Sequence, residues 1–223
     1  MDSKLLIQAI TKFFFGVILI GLLIFMPAWT VTYWQGWLLM GVLFIPMFLA
    51  GLVMFGKSPE LLERRLSSKE KEEEQKTVVR LSGIMFLAAF IVAGLNYRFK
   101  WIELPTIIPI MATVVFLIGY VLYAEVLREN TYLSRTIEVH ENQKVIDTGL
   151  YGIVRHPMYM STLILFFAMP LILGSLLSFF IMLVYIPIIN KRLKNEEKVL
   201  EANLIGYQDY MKKVKYRVIP FVW

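Results

Sequence analysis

Five long apolar blocks separated by polar stretches dominate the chain. They run from about Phe13 to Trp29, Trp34 to Phe55, Leu81 to Phe99, Leu104 to Leu127 and Met158 to Ile189. A helix that crosses the hydrocarbon core of a bilayer needs about 20 apolar residues. Each of the first four blocks fits one such crossing. The fifth has no charged residue and is too long for a single crossing, but it fits a hairpin. Pro170 and Gly174-Ser175 stand at its middle, where a turn belongs. The pattern therefore predicts an all-α, polytopic membrane protein with four spans and a C-terminal helical hairpin. Residues 1–127 form the four-span region, with a charged loop at 56–80. Residues 128–223 form a second region: a loop, the hairpin at 158–189 and an amphipathic C-terminal helix.

Charge supports this reading independently. Lys and Arg number two before the first block, none between the first and second, and seven between the second and third. Two follow before the fourth block (Arg98 and Lys100), four before the fifth and eight after it. Rich and poor segments alternate, and positive charge favours the cytoplasmic side. Both termini, the 56–80 loop and the 128–157 loop are expected in the cytoplasm, which requires the fifth block to cross an even number of times. Trp29, Tyr33, Trp34, Trp37, Tyr97 and Trp101 cluster at the opposite ends, as an interfacial belt would.

Composition narrows the chemistry. Hydrophobic residues make up 58% and charged residues 18%, with a mean hydropathy of +0.64. Soluble domains average nearer half apolar and about a quarter charged. No polar stretch is long enough to be a separate soluble domain, and no cleavable signal peptide is expected. The chain has no Cys, which excludes disulfides, thiolate metal sites and Cys nucleophiles. His140 and His156 are its only histidines, so no metal is expected. The net charge of +6 reads as loops facing anionic lipid, with no nucleic-acid partner. The mixed charge run Lys69 to Lys76 reads as a solvated helix with i,i+4 pairs. No charged residue lies mid-span, which leaves no ion or proton path for a transporter.

Two polar stretches flank the hairpin, and the hairpin brings them together. The first runs Asp147-Thr148-Gly149-Leu150-Tyr151-Gly152-Ile153-Val154-Arg155-His156-Pro157-Met158-Tyr159. Arg155 and His156 stand at a membrane entry point, and Pro157 suits the first turn of the following helix. They are either headgroup anchors or part of an anion site at a helix N-terminus. The second stretch places Leu193, Glu197, Leu200, Leu204, Tyr207, Met211 and Val214 on one helix face, with Gly206 a candidate break. A carboxylate on a packing face needs a partner. For Glu197 that is a salt bridge to Arg155, Arg192 or a C-terminal Lys, or else a bound ligand.

These residues resemble the isoprenylcysteine carboxyl methyltransferase family. Its first signature, close to H-x-L-V-x-x-G-x-Y-x-x-x-R-H-P-x-Y-x-G, is matched by Val145, Ile146, Gly149, Tyr151, Arg155, His156, Pro157 and Tyr159. Beyond the hairpin, R-x-x-x-E-E-x-x-L, G-x-Y-x-x-Y and a late Arg and Pro are matched. The residues there are Arg192, Glu196, Glu197, Leu200, Gly206, Tyr207, Tyr210, Arg217 and Pro220. Asn130 and Ser134 fit a looser upstream pattern. Pro59-Glu60-Leu61-Leu62, Arg65 and Leu66 are similar to bacterial members. Gln143 stands where the family often has His, and Ser161 where it has Gly.

The resemblance implies an enzyme that uses S-adenosylmethionine as methyl donor, with its site on the cytoplasmic side. Arg155, His156 and the helix start at Pro157 would hold the donor's carboxylate. Glu196 or Glu197 would accept from its ammonium or ribose. Tyr151, Tyr159 and Tyr207 would pack on adenine or face the sulfonium, with Gly149 and Ile146 completing the pocket. A carboxylate acceptor would be oriented by Arg155 or Arg192, whereas an amine would lose its proton to Glu197. A lipid-embedded site implies a lipophilic acceptor that enters from the bilayer. The same region also resembles phospholipid N-methyltransferases. Membrane sterol reductases share a related C-terminal region but bind NADPH, and usually have Asn where this chain has Pro157.

Overall fold

The computed structural model describes residues 3–66, 73–133, 137, 139 and 143–223. Part of the Lys69–Lys76 run, together with Ser134 and His140, lies outside the described residues. The chain is an all-α, polytopic membrane protein, and among the described residues there is no strand. Helices α1 (Ser3–Ala28), α2 (Trp34–Lys57), α4 (Glu73–Phe99) and α5 (Ile107–Glu129) correspond to the first four blocks. Each is long and apolar enough to cross a membrane. α1 and α4 begin several residues before the apolar block, because a helix continues wherever its backbone bonds persist, and good helix formers carry it into water.

The hairpin is present. Its first arm is α6 (Pro157–Ile172), with 16 residues. The chain reverses at Gly174, whose φ of +67° glycine adopts without strain. Ser175 then caps the next helix by accepting from the Ser178 amide. The second arm is α7 (Leu176–Met182) followed by α8 (Tyr185–Asn203). Pro187 explains the break between them. It lacks an N–H, and its ring crowds the carbonyl four residues earlier, that of Leu183.

α1 packs on α2 and α4, α4 on α7 and α8, and α5 on α6. Their shared core includes Ile24, Leu39, Phe90, Phe116, Ile172 and Met182. α4 comes close to α1 at Gly94. A Cβ there would lie 2.6 Å from the Ile24 carbonyl oxygen and 2.9 Å from Pro27 Cβ, so only glycine lets α4 meet α1. Outside this core the spans present bare apolar faces, with Phe14, Phe15, Ile18, Met26, Ile45 and Val121 all exposed. Apolar surface on this scale needs lipid to cover it.

The segments sort to two ends, as the charge pattern predicts. At one end the hairpin turn meets the short connections: Tyr33 Oη donates to the Leu173 carbonyl, and Asn96 Nδ2 donates to the carbonyls of Ile102 (3.0 Å) and Gly174 (3.4 Å). At the other end lie the charge-rich segments. There the short helix α3 (Pro59–Leu66) packs on α2 and α1. Arg64 Nη1 donates to the Thr131 carbonyl at 2.8 Å. Arg65 donates to Tyr123 Oη and reaches Met158 Sδ at 3.9 Å.

Candidate active site

The charge-rich end carries the site, built from the loop before α6, the C-terminal half of α8, the short helix α9 (Tyr207–Lys213) and the segment after it. A 3-10 turn, Gly149–Gly152, precedes α6. Gly149 has φ +51°, and a Cβ there would strike the Glu129 carboxylate at 2.4 Å. Thr148 Oγ1 donates to that carboxylate at 2.8 Å. The following strap, residues 154–156, is bonded through its backbone to the segment after α9. The Arg155 amide donates to the Tyr216 carbonyl at 2.9 Å and the His156 amide to that of Arg217 at 2.8 Å.

The apolar stripe seen in the sequence exists, but on two helices. α8 ends at Asn203, Gly206 turns with φ +86°, and α9 follows. Leu193, Glu197, Leu204, Tyr207 and Val214 are all buried across this break. Glu197 therefore needs partners, and it has three. Arg155 Nε donates to Oε1 at 2.8 Å, His156 Nε2 lies 3.3 Å from the same oxygen, and Arg217 Nε stands 3.0 Å from Oε2. Arg155 Nη1 is also engaged, by the carbonyls of Val214 (2.8 Å) and Lys215 (2.9 Å). A buried ion pair whose remaining donors are satisfied is a fixed structural unit.

A second group stands in front of it. Tyr159 Oη donates to Glu196 Oε2 and accepts from Arg192 Nε at 3.0 Å. The His156 ring stacks on Tyr159, with Nδ1 3.8 Å from Glu196 Oε1, so the imidazole lies between the two glutamates. These residues line a cavity of about 100 Å³ together with Ile146, Tyr151, Tyr207 and Arg155. Its far wall comes from Asn130, Tyr132, Leu133 and Lys144. Asn130 Nδ2 donates to Tyr151 Oη at 2.8 Å, and Tyr210 Oη donates to the Tyr151 carbonyl at 2.7 Å. The Tyr207 hydroxyl is buried there without a hydrogen-bond partner. Burial pushes the phenols of Tyr151 and Tyr207 well above their ordinary value, and the carboxylates of Glu197 and Glu196 add to it at Tyr207. Both remain neutral hydroxyls at physiological pH.

Of the candidates named from sequence, Ile146, Tyr151, Arg155, His156, Tyr159, Arg192, Glu196 and Tyr207 meet around this cavity. Glu197, Pro157 and Gly149 do not line it. Glu197 braces the wall from behind, Pro157 opens α6, and Gly149 allows the 3-10 turn to pass Glu129. Sequence reasoning left Glu129 out altogether and did not give Arg217 a role as the second cation on Glu197. Arg217 was visible only as a late motif position. Gln143 lines the cavity, whereas Ser161 is buried in α6 and donates to the Pro157 carbonyl at 2.9 Å.

Residues 107–204 match the phospholipid methyltransferase family, a stretch from α5 through the end of α8 that covers less than half of the chain. The chain is also similar to the Delta(14)-sterol reductase TM7SF2 of Mus musculus, 32% identical over 91 residues. That similarity covers 40% of this chain and only 22% of the reductase, so the chain spans under a quarter of the relative's length.

Proposed function

We propose that the chain is an integral membrane methyltransferase that moves a methyl group from S-adenosylmethionine to a lipophilic acceptor at the cytoplasmic face. One observation carries this reading. Glu196, Arg192, Tyr159 and the unpartnered Tyr207 hydroxyl converge on one cavity, and the region matching phospholipid methyltransferases supplies most of its wall. The donor set fits the cofactor. A buried hydroxyl without a partner costs about 1–3 kcal/mol, and a ligand that bonds Tyr207 removes that cost. Glu196 accepts from an ammonium or from ribose hydroxyls, Arg192 offers a guanidinium to a carboxylate, and Tyr151 and Tyr159 offer ring faces to an adenine or a sulfonium.

When bound, the cofactor would supply an electrophilic methyl carbon on a sulfonium, and the chain's own contribution would be alignment and exclusion of water. The braced unit of Arg155, Glu197, Arg217 and His156 holds Tyr159 and Glu196 in place. Arg155 is buried in that task, and Arg192, which lines the cavity, would orient an anionic acceptor such as an isoprenylcysteine-like carboxylate. The family match favours the other acceptor class, a phospholipid amine. For an amine, the proton acceptor is Glu196 rather than Glu197, because Glu196 faces the cavity. At about 100 Å³ the cavity is smaller than the roughly 300–1,000 Å³ of small-molecule sites, so part of its wall would have to give way to admit the cofactor.

The reductase match supports a second reading, NADPH-dependent reduction, over 91 residues alone. Calorimetric titration of detergent-purified protein separates the two. Saturable binding of S-adenosylhomocysteine, weakened in Glu196→Gln and Tyr207→Phe, supports methyl transfer. Binding of NADPH with none of S-adenosylhomocysteine overturns it in favour of reduction.

A further inference from the structure

The opposite end of the bundle holds a second and larger cavity, of about 640 Å³. It forms where the ends of α1 and α4 and the start of α2 meet the hairpin turn. Gln35, Asn96, Trp29, Arg98, Lys100 and Glu103 are among its lining residues. Gln35, half-buried in this lining, has an Oε1 with no hydrogen-bond partner in the protein. Trp29 and Lys100 hold φ values of +56° and +52°, where residues other than glycine are strained. Arg98 lies over the Trp29 ring at 5.4 Å, and Lys100 Nζ is 3.5 Å from Glu103 Oε1.

Each feature specifies part of an occupant. The Gln35 oxygen calls for an N–H or O–H donor. Arg98 and Lys100 call for an anion. The surrounding Trp29, Trp34, Trp37 and Trp101 are exposed at the ends of spans, which is the level of lipid headgroups. Molecules that carry an anion and a donor together at that level are phospholipids with an amine or hydroxyl headgroup.

We propose that this cavity binds the headgroup of one such phospholipid, with its phosphate against Arg98 and Lys100 and its donor on Gln35 Oε1. The site is separate from the methyl-transfer cavity and rests on the membrane fold rather than on that activity. Gly174 and Leu173 of the hairpin turn also line it, so a bound lipid braces the turn from which α6 and α7 depart.

Choline headgroups carry the same phosphate but have no N–H, which makes them the control. In native mass spectrometry of delipidated, detergent-purified protein, wild type is expected to retain one phosphatidylethanolamine at about tenfold lower lipid concentration than phosphatidylcholine, the factor one such hydrogen bond confers. Gln35→Leu should abolish this preference. Arg98→Gln with Lys100→Gln should weaken both lipids about equally, because both present the same phosphate. Unfolding midpoints should stay at the wild-type value in both variants, which shows that they are folded and that the effect is confined to the far end. Equal retention of the two lipids by wild type, or wild-type retention by every variant, overturns the site as surrounding lipid only. Displacement of the lipid by soluble phosphoethanolamine at equal concentration overturns the lipid as its source in favour of a free anion.

Discussion

Arg155 and Glu197 stand 42 residues apart in the chain and 2.8 Å apart in space, each almost wholly buried. The pair joins the start of one hairpin arm to the last turns of the other. Breaking it by removing one partner leaves an uncompensated buried charge, which costs about 3–5 kcal/mol. Arg155→Ala and Glu197→Ala should each lower the unfolding midpoint sharply, read by intrinsic tryptophan fluorescence in detergent. The double variant should lose less than the sum of the two, because the sites share partners. Additive losses would show the pair to be uncoupled.

Glu196 should behave differently from its neighbour. It lies at the cavity and its main contact is the Tyr159 hydroxyl. Glu196→Gln should keep the unfolding midpoint within a few degrees, consistent with a loss of about 1 kcal/mol or less. It should weaken S-adenosylhomocysteine by about tenfold or more, since it removes a charge-assisted bond. Wild-type affinity in this variant would remove Glu196 from the cofactor site.

Tyr207→Phe removes a buried hydroxyl that has no partner in the free protein. Without ligand, stability should hold or rise by about 1 kcal/mol. Ligand affinity should fall. The folded phenol is raised above the ordinary value of about 10, so its share of stability is complete below that pH and is lost only as pH climbs through the higher folded value. A spectroscopic titration should therefore show no difference between wild type and Tyr207→Phe in phenolate formed near pH 10.

Gly94→Ala tests the helix contact rather than the site. The new methyl would meet backbone of α1 at 2.6 Å. Overpacking of this kind costs about 1–3 kcal/mol. The unfolding midpoint should drop, while ligand affinity in the folded fraction stays at the wild-type value.

The spans, the hairpin and its turn at Gly174 were legible because bilayer thickness fixes helix length and glycine marks reversals. The break at Gly206 was legible for the same reason. That Glu197 needs a partner followed from its place among Leu193, Leu200 and Leu204. Which arginine it takes did not follow, because Arg155 and Arg217 reach it through a strap whose path sequence periodicity does not describe. Adjacent residues on a helix differ in direction by about 100°, so the choice between Glu196 and Glu197 as the cavity carboxylate depended on how α8 is rotated. Tertiary packing sets that rotation. The cavity at the far end was invisible in the sequence, since it exists only where the ends of several helices meet. The α7–α8 break could have been read from Pro187, but a continuous apolar run hid it.

Helix α6 has 16 residues, fewer than any of the five helices long enough to cross a membrane. It rises about 24 Å, several ångströms less than the roughly 30 Å hydrocarbon layer. None of its residues is exposed, because it packs against α5 and α7, so this short helix is matched to its neighbours and not to the lipid. Its first turn, which carries Tyr159 toward Arg192, would therefore lie deeper than the ends of the lipid-facing spans. A lipid acceptor would reach it without leaving the headgroup layer, and activity on such an acceptor should depend on the acyl-chain length of the host bilayer.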